Sequence, residues 1–368
     1  MRFDYSDEQA LLKDSVQRYI EATYPLEPRA SHVCAAPFDS QRWHDLAEMG
    51  WLLAVVPESH GGFGGPVEAA IIGEQFGRGL VAEPFLGSGV LALALLSACP
   101  NDPPVADLLV RAGAGDTILA AAVGETGGRG WIDLCSATVA QRDGGLLLSG
   151  TKTLVLGAPH ARTFIVSARV DDADGIGIFA VEAHAPGVTV DPMPLVDGTS
   201  AGTVRFESVA AVQLADAAHG HAALVAMTEA GVAAIAAESV GIIGKVTELT
   251  AEYIGTREQF GAPLSQFQVL RHRLADMVVA GEMARSALHV ALAAFEQADV
   301  STRARRFAGV KGWTGETLRR VTGAALQTHG GMGLAEELPV GRFLQRMLVL
   351  DAVLGSAEDN WRRAASNA

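Results

Sequence analysis

Residues 257–268 read REQFGAPLSQFQ and residues 327–333 read QTHGGMG, and both set polar chemistry beside glycine. In the first, Arg257 offers a planar fork of N–H donors that matches phosphate oxygens, Phe260 an apolar ring face and Gln268 an amide. In the second, Gln327 precedes Gly330 and Gly331, whose bare backbone lets a ligand come close. A cation, an aromatic face, amides and open backbone together suit an anionic ligand with a flat apolar part. Taken singly, the same residues read as a surface arginine, a core phenylalanine and a glycine helix stop.

Long helices must hold these groups. Residues 222–258 carry one helical pattern with an Ala/Gly-rich middle, and 269–298 a second that follows Pro263. A third spans 302–327 and stops at GGMG, and a last one covers 341–364. Long antiparallel helices of this kind form a bundle, and such a bundle can double as a subunit interface. The first 115 residues are also helical: Ser6 and Gln9 fit a capping box, and Leu12, Val16, Tyr19 and Ile20 then share one face. Further helical patterns follow at 43–50, 66–82, 88–98 and 104–112. HGGFGG (60–65) matches a phosphate cradle only in glycine content, because no strand feeds it and no Lys-Ser/Thr follows; it reads as a connecting loop.

From residue 116 the period changes. Short β-rich runs at 117–124, 145–150, 152–157, 162–170, 175–182, 187–191 and 202–209 are separated by Gly, Asp and Pro turns. The expected fold class is therefore α+β, with a helical domain over 1–115, a β-domain over 116–218 built as a small sandwich or barrel, and a helical bundle over 219–368.

Composition narrows the function. The chain has 368 residues, 49% hydrophobic and 19% charged, which suits a well-packed globular protein of two or three domains. A net charge of −14 argues against nucleic acid or an anionic membrane as partner, yet leaves room for an anion held by a few placed arginines. Cys34, Cys99 and Cys135 have no metal-binding or disulfide spacing. The N-terminus lacks a basic start followed by an apolar run, and the most apolar stretch, 90–99, is too short to span a bilayer. The expectation is a cytoplasmic chain with no metal, nucleic-acid or membrane partner.

Read together, these segments resemble the acyl-CoA dehydrogenase family of flavoproteins. YSDEQALLKDSVQRYI, LAEMGWLLAVVPESHGGFGG and LSGTKTLVLGAPHA carry the resemblance through the first two domains. REQFGAPLSQFQVLRHRLADM and QTHGGMG carry it, more sharply, through the third. The resemblance implies an N-terminal helical domain, a middle β-domain and a C-terminal four-helix bundle, with bundles pairing and FAD lying across the subunit interface. It also implies that Arg257 contacts the FAD pyrophosphate, that Phe260 packs beside the cofactor, and that Gln268, Gln327, Gly330 and Gly331 line the adenine and pyrophosphate path. These groups serve a flavin whose ring sits in the neighbouring protomer.

The reaction implied is α,β-desaturation of an acyl-CoA thioester, which needs a glutamate as base. The position where most of the family places that glutamate holds Leu354, and the alternative position on the first bundle helix holds Gly231. No catalytic residue is therefore assigned. Glu229 is two residues from Gly231 and points about 200° away on a helix, Glu238 reads as a packing carboxylate, and Glu358 lies one turn beyond Leu354. The ring-side pattern is altered too. Gly124 and Gly130 stand where relatives place a threonine and a serine, and Leu154 and Leu156 stand at the aromatic and hydroxyl positions that touch the flavin ring. His160 and His329 lie near these segments and are assigned no catalytic role.

With one half of a shared site kept and the other eroded, the expectation is the non-catalytic subunit of a heteromeric enzyme. The family includes two-plus-two assemblies, many acting on steroid side chains or other bulky CoA esters, with an electron-transferring flavoprotein as acceptor. Two alternatives stay open: a self-sufficient enzyme with an unusual base, and a flavin-free scaffold.

Overall fold

In the computed structural model of the chain, residues 5–26, 38–127, 132, 134–142, 144–170, 175–297, 299–335 and 338–366 are described. Cys34 and Gly130 lie outside the described residues. The α-helices run in chain order α1 (Asp7–Thr23), α2 (Ser40–Glu48), α3 (Pro66–Gly79), α4 (Leu93–Ser97), α5 (Pro103–Gly113), α6 (Ala217–Thr256), α7 (Gln268–Ala294), α8 (Val300–His329), α9 (Val340–Ala352) and α10 (Ala357–Ser366). The strands are β1 (Leu119–Ala122), β2 (Thr138–Arg142), β3 (Gly145–Leu156), β4 (Thr163–Val170), β5 (Ile176–Glu182), β6 (Val188–Pro194), β7 (Ser200–Ala215), β8 (Glu258–Gln259) and β9 (Ala262–Pro263). Contacts group the chain into two compact units: Met1–Val33, Ala70–Val81 and Val232–Ala368 form one, and Cys34–Ala69 and Ala82–Gly231 the other.

The second unit holds the sheet. β2 pairs with β3, β3 with β7, β7 with β5, β5 with β4, and β4 returns to β2, so five strands close a ring. β1 extends it on β4 in parallel, and β6 extends it on β7. Closure removes open edges and buries one face of each strand. Val139, Leu148, Val155, Phe164, Phe179, Val204 and Phe206 fill that interior, with the Phe164 and Phe206 rings edge to face at 6.0 Å.

In this unit three elements differ from the sequence reading. The runs at 145–150 and 152–157 are one strand, β3, with irregular register against β7 between Lys152 and Val155, where Leu154 takes φ 51. β2 was not expected, because in TVAQR only Val139 is buried and the apolar signal is lost. The helix expected at 88–98 opens as a fully buried π-helix, Phe85–Ala92. A Cβ on its Gly87 would stand 2.7 Å from the Leu156 Cβ, so this segment packs directly against the end of β3.

The first unit is helical. α3 meets α6 through bare backbone: a Cβ on Gly241 would stand 1.9 Å from the Glu74 carbonyl oxygen, and one on Gly77 would stand 2.2 Å from that of Glu238. Two carboxylate–guanidinium pairs brace the surrounding helices, Glu74 with Arg285 at 2.9 and 3.0 Å and Glu238 with Arg346 at 2.5 and 3.0 Å. α6 and α7 are both long and apolar enough to cross a bilayer, but 78% of the most apolar window of α6 is buried within the protein against 33% of that of α7. Val269, Val278, Val279, Met283 and Val290 of α7 are all exposed. The last helix expected over 341–364 is broken into α9 and α10, because Leu354 (φ 60) and Gly355 (φ 83) turn left-handed between them.

Candidate functional site

α6 ends at Thr256 where the chain folds into a tight hairpin, with Glu258 opposite Pro263 and Gln259 opposite Ala262. The Leu264 amide closes it by donating to the Arg257 carbonyl at 2.8 Å. Its two corner residues, Phe260 (φ 56) and Gly261 (φ 78), are both left-handed, which is the type I′ arrangement that favours Asn-Gly. A phenylalanine there is strained, and it is 91% exposed, touching Phe267 edge to face at 6.0 Å. An aromatic ring held out in water on a strained corner is chemistry without a folding purpose. We expect Phe260→Asn to leave the isolated chain equally stable or more stable by about 1 kcal/mol, since asparagine tolerates that backbone. Thermal melts of the two chains check this.

Three helix ends meet in this unit. Tyr253, one turn before Arg257, stacks on His329 at 4.3 Å and donates through its hydroxyl to the His329 carbonyl at 3.3 Å, joining the ends of α6 and α8. Arg273 donates to the Thr328 hydroxyl at 3.4 Å, joining the start of α7 to the end of α8. His329 is buried, which holds its imidazole below the usual range, and its Nδ1 bonds the Ala325 carbonyl at 2.9 Å; it is a structural histidine. Arg257, Gln268, Gln327, Gly330 and Gly331 are all exposed around these ends. Among the described residues no carboxylate pairs with Arg257, and a Cβ at Gly330 or Gly331 would meet nothing within 4 Å. A free guanidinium, a presented ring, two amides and open backbone fit the diphosphate and adenine end of a nucleotide.

The turn at Leu354 lies in the same unit and is built with care. Lys311, 1% exposed, donates to the carbonyls of Asp351 at 3.2 Å and Gly355 at 3.0 Å. Asn360 donates to the Leu354 carbonyl at 3.1 Å. Burial lowers the Lys311 ammonium to about 8, partly offset by Asp351 and Asp359. The frame is rigid, but the side chain it presents is leucine, 1% exposed, which neither donates nor accepts a proton. The other carboxylates weighed from the sequence are placed as follows. Glu238 accepts from Nε and Nη2 of Arg346, Glu358 is exposed and paired with Arg362, and Glu229 is buried on α6 near Gly231.

In the second unit, Gly124 leads into a network that sequence reasoning missed. Lys152, fully buried, donates to Glu125 at 2.6 Å and to the Ser167 hydroxyl at 3.1 Å. The amides of Ser136 and Ala137 donate to the same carboxylate at 2.7 and 3.1 Å. Burial alone would raise the Glu125 carboxyl, but hydrogen bonds from Lys152 and Ser136, the Lys152 charge and the Ala137 amide outweigh it and bring it down to about 2. The signal available was parity: Leu148, Gly150 and Lys152 alternate along one strand, which sends a lysine toward the barrel interior. The Thr153 amide donates to the Gly124 carbonyl at 2.8 Å, so the 124–126 loop lies against β3. There Leu154 is half-buried and Leu156 buried, and both are apolar. This surface offers no side-chain donor from either position to a polar ring.

Residues 6–99, 120–209 and 218–368 match the models of the acyl-CoA dehydrogenase N-terminal, middle and C-terminal domains. Acyl-CoA dehydrogenase FadE27 of Mycobacterium tuberculosis (strain ATCC 25618 / H37Rv) is 31% identical over 335 residues, covering 89% of this chain and 87% of its own. Among solved structures, the Tcur3481–Tcur3483 steroid ACAD is 28% identical with a TM-score of 0.88, covering 98% of this chain and 97% of that one. The ChsE4–ChsE5 complex from Mycobacterium tuberculosis is 28% identical with a TM-score of 0.86, covering 100% and 98%.

Proposed function

Because the chain belongs to the acyl-CoA dehydrogenase family, with FAD as its cofactor, we propose that it is the FAD-anchoring, non-catalytic subunit of a heteromeric acyl-CoA dehydrogenase. The observation that carries this is Leu354, an apolar side chain buried in a rigid turn where the family's base belongs. In this reading Arg257 neutralises the pyrophosphate, Phe260 covers an apolar face, and Gln268, Gln327 and the Gly330–Gly331 backbone hold the adenine end. When bound, the flavin ring supplies the hydride acceptor for desaturation of the acyl thioester. The α-proton goes to a glutamate of a homologous partner, since Leu354 and Gly231 can take none.

Two further features support pairing with another protomer. Val269, Val279, Met283 and Val290 of α7, all exposed in the single chain, fall within about 80° of one another around the helix and form an apolar face. The similar solved assemblies named above join two differently named chains, and one of them is a steroid enzyme. We extend this to a two-plus-two assembly acting on a bulky CoA ester, with an electron-transferring flavoprotein as acceptor. Residues 257–268 and 327–333 weigh against a flavin-free scaffold, which has no use for an exposed strained phenylalanine.

The test is to purify the chain alone and co-expressed with a homologous acyl-CoA dehydrogenase from the same organism. The expected result is a colourless, inactive chain alone and a yellow, active complex with one FAD per pair of unlike subunits. An active yellow homo-oligomer of this chain would overturn the reading. Glu229→Gln would then identify the base if it abolished that activity.

A further inference from the structure

Three half-buried guanidinium groups in the helical unit are matched with carboxylates, and two more, Arg303 and Arg342, donate to the carbonyls of Gln297 and Leu26. Arg78 takes Glu248 at 2.9 and 3.0 Å, Arg285 takes Glu74 and Arg346 takes Glu238. Arg273 is different. It is half-buried at the meeting of the three helix ends, and its one hydrogen bond among the described residues is the 3.4 Å contact with the Thr328 hydroxyl. That hydroxyl already donates to the Ala324 carbonyl at 2.7 Å, so toward Arg273 it acts as a neutral acceptor only. A partly desolvated cation with one long, neutral hydrogen bond lacks the counter-charge that its burial calls for.

Its surroundings name the missing partner. Thr328 stands one residue after Gln327 and two before Gly330, so the Arg273 guanidinium is tied to the turn that presents open backbone. Arg257, exposed just beyond the end of α6, has no carboxylate partner among the described residues either. In a chain of net charge −14 such a concentration of unmatched arginine calls for an anion. We propose that Arg273 is a second phosphate-binding residue of the FAD-anchoring half, sharing the pyrophosphate charge with Arg257. This rests on the function proposed above and adds to it the residue that orders the Gly330–Gly331 turn around the phosphates.

The competing role is a structural one, in which Arg273 merely caps the carbonyls at the end of α8. FAD titration of the co-expressed complex, stripped of flavin and followed by flavin fluorescence, separates the two. Arg273→Gln keeps length and a hydrogen-bond donor but loses the charge. It should weaken FAD binding roughly tenfold and flatten the salt dependence, Arg273→Lys should restore part of both, and the melting temperature of the flavin-free chain should stay unchanged. Unchanged FAD affinity in Arg273→Gln together with loss in Arg257→Ala overturns this inference and leaves the proposed function standing. Unchanged affinity in both variants overturns the proposed function itself. A lowered melting temperature without FAD, with affinity intact, assigns Arg273 to the helix cap and also overturns the inference.

Discussion

On the function proposed above, Arg257→Ala should lower the FAD affinity of the assembled enzyme by roughly ten- to a hundred-fold, the worth of one charge-assisted contact to a pyrophosphate oxygen. The isolated chain, by contrast, should unfold within about 0.5 kcal/mol of the wild type, because an exposed arginine without a carboxylate partner contributes little to the fold. The contrast is what makes the experiment informative. A residue that braced the hairpin would change both measurements, and one idle at the surface would change neither. Only a residue kept for a ligand changes the first alone. Equilibrium dialysis of the co-expressed complex, with urea unfolding of the single chain, measures the pair. Retention of a full complement of flavin at limiting FAD would remove Arg257 from the site and with it the basis for calling this chain an anchor.

The hairpin that carries Arg257 shows how far local chemistry can be read. Gly-Ala-Pro after a long apolar helix marks a corner in any sequence, and the residue types around it suggest an anion. The capping box at Ser6 and Gln9 is legible for the same reason, since its partners are three residues apart, and it forms as expected. What the sequence does not carry is the meeting of Tyr253 with His329 across 76 positions and of Arg273 with Thr328 across 55, which together turn three separate helix ends into one cradle. The barrel closure is hidden likewise. β4 receives β1, β2 and β5, and no local pattern reports which strands share an edge. At Leu354 the difficulty is of another kind. Thirteen residues of amphipathic α9 run straight into a further helical pattern, so periodicity continues across the turn. The break depends on Lys311, more than 40 residues away, holding the carbonyls on either side of it.

Lys152→Met should be the most destabilising of these changes, by about 3–5 kcal/mol, because it strands the Glu125 carboxylate in a buried site without its ammonium partner. The pH dependence follows from the same pair. Glu125 ionises near 2 in the fold against 4.5 for the free group, so its stabilisation is complete above 4.5 and is lost as the pH falls toward 2. With the lysine gone, burial prevails and pushes the carboxyl upward. The variant should then lose stability on the alkaline side, where the stranded group is forced to ionise, and regain part of it on acidification. Adding Glu125→Gln should recover much of the loss at neutral pH, as removing both charges usually does, and urea unfolding from neutral pH down through 4.5 toward 2 measures the reversal. This pair also separates fold from function. Glu125 and Lys152 belong to the barrel unit, whereas Arg257, Gln268 and Gln327 belong to the helical one. A Lys152→Met complex that still folds should therefore keep its FAD, and one that loses flavin while remaining folded would show that the barrel of this chain, too, holds part of the cofactor.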